Sequence, residues 1–330
     1  MGSTWSQLFP PAPTLKEGNL PSQEGRVFIV TGGASGVGFE LARMLYEAGA
    51  SVYIAGRSET NGHQALDRIL ATPTSEATKG KLEFLLLDLA DLTTIKPFVR
   101  AFEAKESRLD VLWNNAAVSL PPLGSTSKQG YELQIATNCL GPFLLSQMLL
   151  PILKRTSNSG ATPGSIRVVW SSSQVVDLSA PKGGFAMKDI IDPPKDKTTN
   201  YTTSKTGNWF LASEFARHAD LGGDAGGVLS VTQNPGNLST NLLRHAPWMK
   251  FLSAPLLHPA RMGAYTELWA GLSPDLEIGS HNGAYVVPWG RVHPGPRADL
   301  LLALRGTDEG GSGRAREFWQ WCKEQTAEYA

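Results

Sequence analysis

Short, nearly unbroken apolar runs, each followed by a segment long enough for a helix, are the feature that most constrains how this chain can fold. The first run, "RVFIV" at residues 26–30, leads directly into "TGGASGVG" and then the helical "FELARMLYEAG". The same alternation returns with "SVYIA", "LEFLLLDL", "DVLWNN", "SIRVVW", "GVLSVTQ" and "GAYVVPWG". Strands that are apolar along their whole length are buried on both faces, as in parallel sheets flanked by helices. About seven such strands predict an α/β fold: a doubly wound parallel sheet with helices on both faces, in a single domain. The first 24 residues, rich in proline and polar residues, are read as an N-terminal arm laid over that domain, which spans 25–330.

With 330 residues and 41% hydrophobic content the chain can bury a large core. Thirty basic residues balance thirty acidic ones, and no dense basic run offers a grip for nucleic acid or an anionic membrane. A small, neutral partner is expected instead. The two cysteines, Cys139 and Cys322, lack metal or redox spacing, which suits a reducing compartment and excludes a zinc site. No secretory signal or transmembrane run is apparent, so a cytoplasmic location is expected. Met1, Gly2 and Ser6 match the loose pattern for N-myristoylation.

The turn at residues 31–38 lies between the first strand and the first helix, where a dinucleotide fold binds phosphate on exposed helix-end amides. Its spacing, Gly32, Gly36 and Gly38, departs from the common G-x-G-x-x-G. It resembles the T-G-x-x-x-G-x-G of the short-chain dehydrogenase/reductase family, and the likeness extends over about residues 25–290. The resemblance implies a Rossmann-type fold and a nicotinamide cofactor, with Ser35 and Val37 joining the three glycines around it. Asp88, at the end of "LEFLLLD", then falls beside the adenine. "NNAA", with Ala117 where the family has glycine, puts Asn115 beside the adenosine ribose. "NPGNLST" assigns Pro235, Gly236, Leu238 and Thr240 to the nicotinamide end and the phosphates. After the second strand, "VYIAGRSET" carries no acid at Ala55 or Gly56 to hold a ribose 2′-hydroxyl, and Arg57 follows at once. An arginine can pair a 2′-phosphate, which favours NADP(H) over NAD(H).

Of the seven tyrosines, Tyr201 alone has a lysine, Lys205, four positions later. On a helix that spacing sets an ammonium one turn from a phenol. A cation there lowers the phenol's pKa and fits it to exchange a proton with a carbonyl or alcohol oxygen. In the family these two are the general acid/base and its partner, which also binds the nicotinamide ribose. Asn138, in "ATNCLGPF", matches the asparagine that holds a relay water; the alternative is an asparagine that bonds a neighbouring backbone group.

The fourth member is a serine at the end of the fifth strand, where "WSSS" offers three. Strand alternation puts Ser171 and Ser173 on one face and Ser172 on the other. The family register, counted from Arg167, selects Ser173. Tyr201 follows it 28 residues later, a longer interval than in many relatives, so the intervening segment is expected to loop out beside the substrate.

A substrate loop or lid is expected at about 238–265, with Leu243, Trp248 and Phe251 in an oily wall suited to a lipophilic ketone or alcohol; packing of the last helices is the alternative for these residues. Within the family the chain looks most like the retinol-dehydrogenase and WW-domain oxidoreductase-like branch, including fungal reductases of secondary metabolism. The resemblance leaves room for a homo-oligomer. The expected function is NADP(H)-dependent hydride transfer to or from a lipophilic small molecule. A non-redox cyclase, isomerase or dehydratase on the same fold is the alternative, and a non-catalytic NADP-binding regulator is a more distant one.

Overall fold

The computed structural model describes residues 2–72, 80–219, 227–239 and 257–330. Ten strands occur among them: β1 Val27–Thr31, β2 Ser51–Gly56, β3 Lys81–Leu86, β4 Val111–Asn114, β5 Arg167–Ser171, β6 Leu229–Gln233, β7 Leu238–Ser239, β8 His258–Pro259, β9 Tyr285–Val287 and β10 Arg291–Val292. Eight form one sheet in the order β3-β2-β1-β4-β5-β6-β9-β10. Seven are parallel, matching the seven apolar runs in the sequence. The eighth, β10, returns antiparallel to β9 over only two residues, too few to show as a periodic signal. β7 and β8 pair as a separate parallel ribbon.

Alternation along each strand divides the core in two. Ile29, Tyr53, Leu112, Val168 and Trp170 point to the layer of helices Ile95–Glu103, Gly141–Asn158, Lys197–Ala219 and Arg314–Thr326. Phe28, Val30, Ile54, Trp113 and Val169 point the other way, to helices Gly36–Glu47, Glu59–Leu70 and Ala260–Leu272. Fully buried rings such as Phe28 and Phe210 each contribute on the order of 2–3 kcal/mol relative to exposure.

The helical run Leu133–Asn158 is long and apolar enough to cross a membrane, with a mean hydropathy of 1.4, but 78% of that window is buried inside the fold. It is a core helix of the first layer. Strand order reverses between β1 and β4, and in open sheets of this kind ligands bind beyond the carboxyl ends of the strands at that point.

Before β1 the chain forms a short helix, Gly2–Leu8, and a tight turn at Glu17–Asn19. Gln7 is buried and links distant parts of the chain: it donates to Asp177 Oδ2 at 2.9 Å and accepts from Asn234 Nδ2 at 2.8 Å. Arg291 donates to the carbonyl oxygen of Ser6 at 2.5 Å.

Candidate active site

The turn after β1 is shaped by its glycines. Gly32 and Gly36 have φ of 68° and 58°, in the left-handed region that a side chain disfavours. At Gly38 a Cβ would lie 2.5 Å from Asn115 Nδ2 and 2.8 Å from the Gly32 carbonyl oxygen, so the helix N-terminus can approach the turn only because that atom is missing. Asn115 fastens the same turn by donating to the Thr31 carbonyl at 2.8 Å. The result is a cradle of backbone at a helix start, which fits a pyrophosphate.

That cradle forms one end of a cavity of about 590 Å³, also lined by Ser35, Val37, Arg57, Asp88 and Asn115. Arg57 is exposed at the wall, with no ion-pair partner among the described residues. At the other end the cavity is lined by Ser173, Tyr201, Lys205, Pro235, Gly236 and Leu238.

The phenol of Tyr201 has the hydroxyls of Ser173 and Ser119 beside it, and both favour its charged form. Burial pushes it up to about 12, with the two hydroxyls pulling against that rise. Lys205 lies with its Nζ 5.7 Å from the centre of the Tyr201 ring, and burial pushes it down to about 8. The lowering of the phenol by its lysine, expected from the spacing, therefore does not prevail. Burial disfavours the charged form of both groups and is the largest cause of each shift. Lys205 is 3% exposed, and its Nζ donates to the Ser171 carbonyl at 2.9 Å.

The residue model for short chain dehydrogenases matches positions 26–179. A short-chain dehydrogenase/reductase of Pestalotiopsis fici is 44% identical over 323 residues, covering 97% of this chain and 96% of that protein. Another, of Phomopsis amygdali, is 44% identical over 99% of this chain and 97% of its own length. The chain belongs to the short-chain dehydrogenase/reductase family. Among solved structures, a protein of Mycobacterium paratuberculosis matches at 27% identity with a TM-score of 0.66, covering 95% of this chain and 97% of the other. A Pseudomonas aeruginosa protein solved with NADP shares the fold, at 24% identity and a TM-score of 0.61 over 82% of this chain and 96% of that one. This short-chain dehydrogenase/reductase thus has the NAD(P)-binding fold of an oxidoreductase family.

Within this short-chain dehydrogenase/reductase, the three serines have separate destinations. Ser171 ends β5 and turns its hydroxyl to the second helical layer, donating to Glu267 Oε1 at 2.8 Å. Ser172 donates to the Lys205 carbonyl at 2.8 Å and receives the Tyr285 hydroxyl at 3.2 Å. Ser173 meets Tyr201 in the first layer. The shared face expected for Ser171 and Ser173 is thus not observed. The strand stops at Ser171 and the backbone turns, so the two-residue alternation no longer applies.

Asn138 lies in a π-turn, Ala136–Leu140, inside the long helical run. Its amide accepts from the Val118 N–H at 2.8 Å and donates to the Val118 carbonyl at 3.0 Å and to Ser204 Oγ at 2.9 Å. The side chain is committed to a neighbouring backbone segment, the arrangement named as its alternative. The segment between Ser173 and Tyr201 forms two short helices, Val175–Ser179 and Lys188–Ile191. Of the expected lid, β7, β8 and the start of the Ala260–Leu272 helix are described, with Ala264 and Tyr265 buried in the second core. Thr240, Leu243, Trp248 and Phe251 lie outside the described residues.

Sequence reasoning missed Ser119 and Glu267. Ser119 follows the "NNAA" motif closely enough to have been a candidate. Glu267 sits in the middle of an apolar helix, "ARMGAYTELWAGL", where a lone acid among buried residues was the available signal.

Proposed function

We propose that this protein is an NADP(H)-dependent oxidoreductase that interconverts the carbonyl and alcohol forms of a lipophilic small molecule. The observation that carries this reading is that Tyr201, Ser173 and Lys205 line the same cavity as the glycine cradle. When bound, the nicotinamide supplies or accepts the hydride. In the reducing direction Tyr201 gives its proton to the carbonyl oxygen and regains one from solvent; in the oxidising direction it takes the proton of the alcohol. Ser173 hydrogen-bonds the reacting oxygen and stabilises its developing charge. Lys205 holds the nicotinamide ribose with the N–H groups that Ser171 leaves free. The Asn138 amide, committed to Val118 and Ser204, braces the segment after β4 against the Tyr201 helix.

The Arg57 guanidinium, without an ion-pair partner among the described residues, supports the choice of NADP(H), since it can meet a 2′-phosphate that NAD(H) lacks. Arg57→Ala is expected to weaken NADPH binding by about tenfold or more, a charge-assisted hydrogen bond's worth, while leaving NADH binding unchanged. Equal affinity for NADPH in the variant and the wild type would reassign the cofactor.

The largely apolar lining supports a lipophilic substrate, and resemblance to fungal reductases supports a role in secondary metabolism. The free thiols of Cys139 and Cys322 support a cytoplasmic setting. A screen of lipophilic ketones with NADPH, followed by absorbance of the reduced nicotinamide, tests the whole reading. Tyr201→Phe should lower turnover by about 100-fold or more while cofactor affinity is retained; undiminished turnover would overturn the assignment.

A further inference from the structure

Lys205 and Glu267 occupy opposite faces of the sheet, yet both bond to the same residue. The Ser171 carbonyl receives Lys205 Nζ at 2.9 Å and Asn208 Nδ2 at 2.8 Å, while the Ser171 hydroxyl donates to Glu267 Oε1 at 2.8 Å. Gln233, paired with Ser171 on the adjacent strand, donates to the same Glu267 oxygen at 2.6 Å and to Ser171 Oγ at 2.9 Å.

The helix carrying Glu267 is fixed to the sheet at two further points. Trp113 Nε1 donates to the Glu267 carbonyl at 2.9 Å, and the buried guanidinium of Arg167 donates to the Ala270 and Ser273 carbonyls at 3.0 and 2.7 Å. Arg167 opens β5 and Ser171 closes it, so one strand sets the height of Glu267 from both ends.

The residue type is informative. Glu267 is 0% exposed, and its Oε2 has no hydrogen-bond partner among the described residues. A glutamine would receive the Ser171 and Gln233 donors equally well without the cost of a buried carboxylate. What a glutamine cannot supply is charge, and Lys205, bonded to the other side of Ser171, is the cation whose charge acts on Glu267. Lys205 itself is faced by Tyr201 on its own helix, by the Cys139 thiol of the π-turn and by Glu267. Of these, Glu267 is the group that can offer a counter-charge where Lys205 itself titrates, at about 8, because burial pushes the Cys139 thiol far higher.

We propose that Glu267 is a positioning residue for Lys205, fixing through Ser171 the carbonyl that aims the ammonium and supplying the charge that keeps it protonated. The kinetic consequence rests on the oxidoreductase reading above; the electrostatic one does not. Burial pushes Glu267 up to about 8 and Lys205 down to about 8, while each one's charge draws the other back, so the two titrate together. Losing the carboxylate must lower the pH at which Lys205 gives up its proton.

The test is a titration of Lys205 in protein labelled with carbon-13 at lysine Cε, its resonance assigned by loss in Lys205→Met. In Glu267→Gln the midpoint should fall by about half a pH unit or more. Ser171→Ala, which withdraws one partner from the carboxylate and keeps the fold if Glu267→Gln does not, should move it the same way by less. The alkaline limb of kcat/KM for ketone reduction should follow the midpoint in each variant. A Lys205 midpoint unmoved in both variants overturns the proposal, as does a uniform loss of activity with an unmoved limb. A moved midpoint in a protein without nicotinamide-dependent turnover would uphold the coupling and sink the oxidoreductase reading alone.

Discussion

Ser172 and Ser173 are neighbours with the same functional group, and what separates them is the partner each hydroxyl has already found. Ser172 joins the Lys205 backbone to Tyr285, a structural bridge between a helix and β9. Ser173 faces the cavity and the Tyr201 phenol. Ser173→Ala should therefore lower turnover by about 100-fold or more, the usual effect of removing a donor to a developing oxyanion. Ser172→Ala should retain turnover and lose about 1 kcal/mol of stability, the net worth of a hydrogen bond, read as a lower denaturation midpoint. A deep loss of turnover in Ser172→Ala with little change in Ser173→Ala would exchange their roles. Ser119 belongs to the same group: it lines the same cavity and its hydroxyl, like that of Ser173, favours the charged phenol, where the sequence pointed to one serine.

The elements themselves were largely legible, because burial on both faces leaves continuous apolar runs and a helix leaves its own periodicity. Seven strands, the glycine turn and the Tyr201–Lys205 helix all follow from local patterns. Features that depend on partners distant in the chain did not. The two-residue β10 exists because β9 offers it an edge. The π-turn that carries Asn138 has no signature in "ATNCL". Alternation continues as far as Ser171, which points towards the layer of Val169, and fails at Ser173 because a sequence does not show where a strand's last hydrogen bond falls. Glu267 was illegible for a related reason. Its importance comes from Ser171, Gln233 and Lys205, which lie 96, 34 and 62 residues away and meet it only when the sheet is assembled.

At the scale of the molecule, the buried Glu267 and Lys205 make stability depend on pH. The folded state raises Glu267 from 4.5 to about 8, so it binds a proton there that the unfolded chain has released, and its contribution is lost as pH rises from about 4.5 to 8. Lys205, lowered from 10.5 to about 8, acts in the opposite sense above that range, and stability recovers as the unfolded chain's lysine also deprotonates. The thermal midpoint of the wild type should fall between pH 5 and 8 more steeply than that of Glu267→Gln, about 1.4 kcal/mol being at stake per unit of pKa displacement. Parallel slopes for the two proteins would show that the carboxyl titrates normally. The short helix at the start of the chain has a consequence of another kind. Besides Asp177, its anchors Asn234, Arg291 and His293 lie just after β6, in β10 and just after β10, so the helix is fully seated only by residues far along the chain. That helix is thus made well before the residues that seat it.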